Sequence, residues 1–169
     1  PNPLIGEGIM LSTGDVFGAM GPNKVSNMSV DLGRRGDKAL QHIGKAITQD
    51  AALLEFDFKA QLDYVSFNFF FASEEYTEYV GSTFNDVFAF FITGPGITGT
   101  KNLAVLPEKG TPITVNTVNH IANTVNYIDN DNFGKRGQKL LGKSETLDQY
   151  LFNTFEFDGM TTLLRAETP

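Results

Sequence analysis

The chain has no cysteine and no tryptophan, and only two histidines, His42 and His120. Without cysteine there are no disulfides, no thiolate zinc sites and no cysteine nucleophile. With so little histidine, imidazole-rich metal chemistry is not expected, and any sugar-stacking platform falls to Tyr or Phe. Basic residues are also scarce, with 13 Lys and Arg against 20 Asp and Glu and a formal net charge of −7. Nucleic-acid affinity rests on Lys and Arg at phosphates, so this balance argues against a nucleic-acid partner. The pairs Arg34-Arg35 and Lys135-Arg136 are too isolated to change that. No apolar run approaches the roughly 18 residues of a membrane span, so no membrane insertion is expected. No signal-peptide pattern occurs in the sequence, which begins at Pro1, and a leader removed before that point is expected. Neither G-x-S-x-G nor a phosphate-cradling glycine loop followed by Lys-Ser/Thr occurs.

What the chain does have is aromatic alternation. Hydrophobic residues make up 41% of its 169 positions, with 15 Phe, enough for one domain over residues 1–169 with a substantial core. Phe67, Phe69 and Phe71 alternate with Ser66, Asn68 and Phe70, and Phe88, Phe90 and Ile92 with Val87, Ala89 and Phe91. Period 2 in aromatic residues predicts strands. Similar reasoning predicts strands at Ile9–Ser12, Leu53–Phe58, Leu103–Leu106, Ile113–Val115, Phe152–Phe157 and Met160–Leu164, the last two joined by an Asp158-Gly159 hairpin. One helix is predicted near residues 37–47, with Leu40, Ile43 and Ile47 at helical spacing and Asp37 as N-cap, although Gly44 weakens it. Residues 116–143 read as surface loop with a short strand near Val125–Ile128. Many short strands, no helix alternating with them and no internal repeat predict an all-β antiparallel sandwich, jelly-roll-like, with that one short helix.

Chemistry concentrates between the two aromatic runs. Glu74, Glu75, Glu78, Asn85 and Asp86 lie there, and no Lys or Arg occurs between Lys59 and Lys101. Calcium takes about six to eight hard oxygens, and carboxylates and amides supply them. The expected calcium ligands are Glu75 and Asp86, with Glu74 and Asn85 ligating or orienting, because neighbours on a strand end point opposite ways. The alternative is a solvated acidic loop. A second cluster, from Asp129 through Asp131 to Gly134, opens like an EF-hand loop, but Phe133 and Leu140 break the pattern and no helices flank it. It reads either as a turn cluster or as a simpler calcium loop through Asp129 and Asp131. Tyr76, Tyr79 and Tyr127 are the candidate glycan-stacking residues. Glu55 and Asp57 share one face of a predicted strand, and retaining glycosidases use two carboxyls roughly 5 Å apart. Ala60 stands where a third acid would fall, so catalysis there is not expected.

Five segments, Gly8–Gly14, Gly21–Asn23, Asp50–Phe58, Phe71–Tyr76 and Gly81–Phe91, together with Phe157–Gly159, resemble in order and spacing the choice-of-anchor L domain of bacterial surface proteins. The resemblance covers most of the chain. It implies a secreted or cell-surface modular protein without general enzymatic activity, acting in adhesion or structural assembly. Its expected partners are other surface or matrix proteins, with glycans as an alternative. It also implies further strands beyond Leu164 and before Gly8. An open edge there is a template for strand addition, so self-association through sheet edges, or a polymer completed by strand donation, is a further expectation.

Overall fold

The computed structural model describes residues 6–130 and 154–168. Among the described residues its regular structure is a set of short antiparallel strands, one short α-helix and two 3-10 turns, Val16–Ala19 and Thr124–Asn126. The helix, α1 (Lys38–Gly44), starts where Asp37 accepts hydrogen bonds from the backbone N–H of Ala39 (2.8 Å) and Leu40 (3.0 Å), satisfying two of the donors that a helix start leaves open. It stops at Lys45, which is left-handed with φ 55°. Ile47 therefore falls outside the helix and is exposed. Gly44, unfavourable by propensity alone, is explained by contact: a Cβ there would overlap the Val87 side chain, and the Gly44 carbonyl accepts from Asn85 Nδ2 at 2.8 Å.

The strands follow as β1 (Ser66–Phe69), β2 (Ala72–Ser73), β3 (Val87–Phe88), β4 (Phe91–Ile92), β5 (Lys101–Asn102), β6 (Val105–Leu106), β7 (Thr111–Thr114), β8 (Tyr127–Asp129), β9 (Gly159–Thr161) and β10 (Leu164–Glu167). They form four small sheets, β1-β10, β2-β9-β8, β3-β7-β6 and β4-β5, with every pairing antiparallel. The predicted aromatic alternation builds the packing between them. Phe67 and Phe69 of the first pair lie against Phe90 and Phe88, at centroid distances of 4.4 and 4.8 Å. Behind them Tyr76, Leu103, Ala104, Ile113, Val115 and Val118 are buried. Among the described residues the fold is mostly antiparallel strands with one short α-helix, consistent with the all-β class that the sequence implied.

Several local expectations give way. Ile9–Ser12 and Leu53–Phe58 form no strand. Alternation makes a segment able to pair, but a ladder needs a neighbour, and among the described residues no strand pairs with either of them. Within Phe152–Phe157, residues 152 and 153 lie outside the described part, and Phe155 makes only an isolated bridge to Met20. Asp158-Gly159 does not turn a hairpin. Gly159 instead opens β9, which pairs with β2 on one side and β8 on the other. Residues 116–130 are not all surface loop either, because Val118 and Asn119 are buried. Asn119 replaces missing ladder bonds there, donating to Val115 O and accepting from the N–H of Ile121 and Ala122, each at 2.8 Å.

Candidate functional site

The acidic residues gather around β2 and β9. Ser73 ends β2, and its hydroxyl donates to Asp86 Oδ2 (2.8 Å) while accepting from the backbone N–H of Glu75 (2.9 Å). This one hydroxyl ties the loop leaving β2 to the residue just before β3. Asn85 is fully engaged, since Oδ1 accepts from Asn116 N (2.9 Å) and Nδ2 donates to α1 at Gly44. On the far side, Glu74 Oε2 accepts from Met28 N at 3.2 Å.

Two buried acids that sequence reasoning did not single out complete this second group. Glu156 accepts from the N–H of Lys24 and Val25 at 3.2 Å, and Asp158 Oδ1 accepts from Asn23 Nδ2 at 2.9 Å. Asn23 and buried Asn130 also donate to the Phe157 carbonyl, at 3.4 and 2.8 Å. Carboxylates here serve as acceptors for an irregular backbone that has no ladder of its own, pinning residues 23–28 to the body. The signals available were Gly21-Pro-Asn23 and Phe157-Asp-Gly159, both visible as motifs but not as one site.

The electrostatics follow from this crowding. Glu74 is pushed up to about 8, first by loss of hydration and then by the charge of Asp158, with the Met28 N–H opposing and Glu156 and Glu78 adding. Glu75 is raised by loss of hydration, then by Asp86 and Glu78. Asp86 has solvent at its surface, yet protein atoms crowd its carboxyl. The loss of hydration raises it, and the Ser73 hydrogen bond pulls the other way. The four acids and amide of the sequence thus separate into two groups. Glu74 lies in the field of Asp158 and Glu156, and Glu75 in that of Asp86. Among the described residues, the one ion pair is Arg165–Glu167 on the surface, and no three His, Asp or Glu side chains converge closely enough to hold a metal ion. Asp129 sits in β8 opposite Gly159, and Asp131 lies outside the described residues.

The three tyrosines are not brought together as a platform. Tyr76 is wholly buried and donates to Val118 O at 2.7 Å, and Tyr127 is buried with its ring 4.9 Å from that of Tyr76. Both rings fill the core, so neither presents a face to a sugar. Tyr79 is exposed, edge-on to exposed Phe84 at 5.3 Å. Glu55 and Asp57 sit on an exposed segment outside any sheet.

A family model, the choice-of-anchor L domain, matches residues 2–169. No curated protein and no solved structure matches the chain. Among the described residues, no helix is long and apolar enough to cross a membrane.

Proposed function

We propose that this chain, which belongs to the choice-of-anchor L domain family of bacterial surface-associated proteins, is a non-enzymatic extracellular domain acting in adhesion or structural assembly. The observation that carries this reading is the distribution of exposed apolar side chains. Ile9, Phe17, Leu53, Phe56, Phe58 and Leu62 are all exposed, within a stretch of residues 6–64 that holds little regular structure. Large exposed apolar surfaces mark places where proteins meet other surfaces. Of the acids with raised pKa, Glu74 is engaged by the Met28 N–H and Asp86 by the Ser73 hydroxyl, an arrangement that serves structure. The family is a surface type and not a known enzyme family.

The test uses the purified domain on beads, with retention on cells of the producing type measured against beads carrying an unrelated acidic domain. Retention severalfold above that control is expected, and equal retention removes adhesion. Tyr79 and Phe84 favour a second reading, stacking on surface glycan. In that case Tyr79→Ala alone would cut retention, since an exposed ring adds nothing to the core.

Calcium is the remaining part of the proposal. The described residues do not build a cage of three carboxylates, so an ion would rest on Glu75 and Asp86 with carbonyl or water oxygens completing the shell. Two neighbouring carboxyls with raised pKa favour a cation that relieves their repulsion. A ligand that binds only the folded state raises the melting midpoint. At pH 8.5, millimolar calcium is therefore expected to raise the midpoint over chelator by a few degrees, and Asp86→Asn to abolish that difference. A midpoint indifferent to calcium counts against the ion.

A further inference from the structure

Residues 51–60 run without helix, turn or bend, and every residue from Leu53 to Tyr64 is exposed. Among the described residues, no hydrogen bond involves residues 52–64. Yet the segment is pinned at both ends, with Ala51 N donating to Arg35 O at 3.1 Å and Val65 N to Thr168 Oγ1 at 3.0 Å. Its even positions, Leu54, Phe56, Phe58 and Ala60, are apolar, and its odd positions, Glu55, Asp57, Lys59 and Gln61, are polar. The Phe56 and Phe58 rings lie 5.9 Å apart, as positions i and i+2 on one side of an extended chain do. Among the described residues, the segment has the extension and alternation of a β-strand but no strand beside it.

We propose that the neighbour is the same segment of a second copy of this chain, paired antiparallel about a twofold axis at Phe58. The charges select both the partner and the register. Centred on Phe58, Asp57 of each copy falls opposite Lys59 of the other, Phe56 opposite Ala60, and Phe58 opposite itself. The two copies' Phe56 and Phe58 then form one apolar face. Sliding by two residues keeps the apolar side aligned but sets Asp57 against Asp57, which offsets part of the gain from Glu55 opposite Lys59, or sets Lys59 against Lys59, and like charges directly opposite are unfavourable. Sliding by one puts apolar side chains against polar ones. An isolated two-stranded ribbon is marginal in water, but here each strand is held at both ends by its own folded body, which lowers the ordering cost of association. A twofold contact of this kind closes on itself, giving a dimer and not a filament. This pairing deepens the assembly reading above and rests on it for its biological role. The solution test does not share that dependence: a dimer with failed cell retention would count against adhesion alone, and retention by a strict monomer against the pairing alone.

The experiment is analytical ultracentrifugation of the full chain over a wide concentration range, with charge exchange at two exposed positions. Asp57→Lys and Lys59→Asp are each expected to weaken dimerisation by about thirty-fold, because each turns two symmetric cross-strand attractions into like-charge contacts. The double variant, Asp57→Lys with Lys59→Asp, is expected to restore the native dissociation constant to within about threefold. Circular dichroism of all three should match the native protein, since neither side chain touches the core. A native chain that stays monomeric at every concentration overturns the proposal, as does a dimer that ignores both single changes or is not rescued by the double one.

Discussion

Gly159→Ala is expected to lower the stability of this domain more than any change at the acidic residues. A Cβ built on Gly159 would lie 2.6 Å from the Tyr127 hydroxyl, 2.8 Å from Tyr127 Cε2 and 2.8 Å from Tyr76 Cβ. None of these atoms has room to retreat. Tyr76 is held by its hydrogen bond to Val118 O, and both rings are buried against each other. The strand has no freedom either, since β9 is the middle of its sheet and is paired on both sides. Overpacking of a well-packed interior costs about 1–3 kcal/mol and occasionally more, and the two-sided constraint puts this position at the upper end. In urea, the midpoint should fall by about 1–2 M at unchanged slope, given a slope of about 1–3 kcal/mol per molar for domains of this kind. Gly94→Ala is the control, because a Cβ there meets nothing within 4 Å. Equal midpoints for the two variants would mean that the tyrosine pair is not packed over Gly159.

The contrast between Gly159 and its neighbours shows what was legible in the chain. Local signals read correctly wherever the structure is local. Asp37 caps α1 through residues two and three positions on, and the Phe67/Phe69 alternation marks β1. Leu53–Phe58 has the same periodicity and forms no sheet, because periodicity records which side chains share a face and says nothing of what pairs with the backbone. Tyr76 sits beside two glutamates in sequence and looked exposed, but the contact that buries it is to Val118, far along the chain. The acidic groups were legible in half. The side chains within Glu74–Asp86 were visible as a run of like charge. Asn23, Glu156 and Asp158 were not, since the bonds joining them connect residues separated by more than a hundred positions. The helix shows the same limit in reverse: Gly44 counted against it by propensity and is required by the approach of Val87.

Those long-range carboxylate contacts carry the second large effect, a stability that declines as pH rises. Glu74 stands at about 8 in the folded protein against 4.5 for an unperturbed glutamate. Between those values the folded chain keeps a proton that the unfolded chain has lost. Stability therefore decreases with pH across this interval, because it falls wherever the native state binds more protons. The contribution is fully present below about pH 4.5, is lost progressively up to about pH 8, and is level above that. Glu75 and Asp86 are shifted in the same direction and add to the slope. Glu74→Gln removes the charge and keeps an oxygen for the Met28 N–H. In chelator, the variant should match the native protein near pH 4.5 and exceed it at pH 9 by about 1–2 kcal/mol, a figure already reduced for the partial solvent screening of Glu74. A residual slope from Glu75 and Asp86 should persist in the variant. Thermal melts at pH 4.5, 7 and 9 measure all of this. Curves that run parallel for the two proteins would place Glu74 in open solvent, away from Asp158, and separate the loop after β2 from the strand that Gly159 begins.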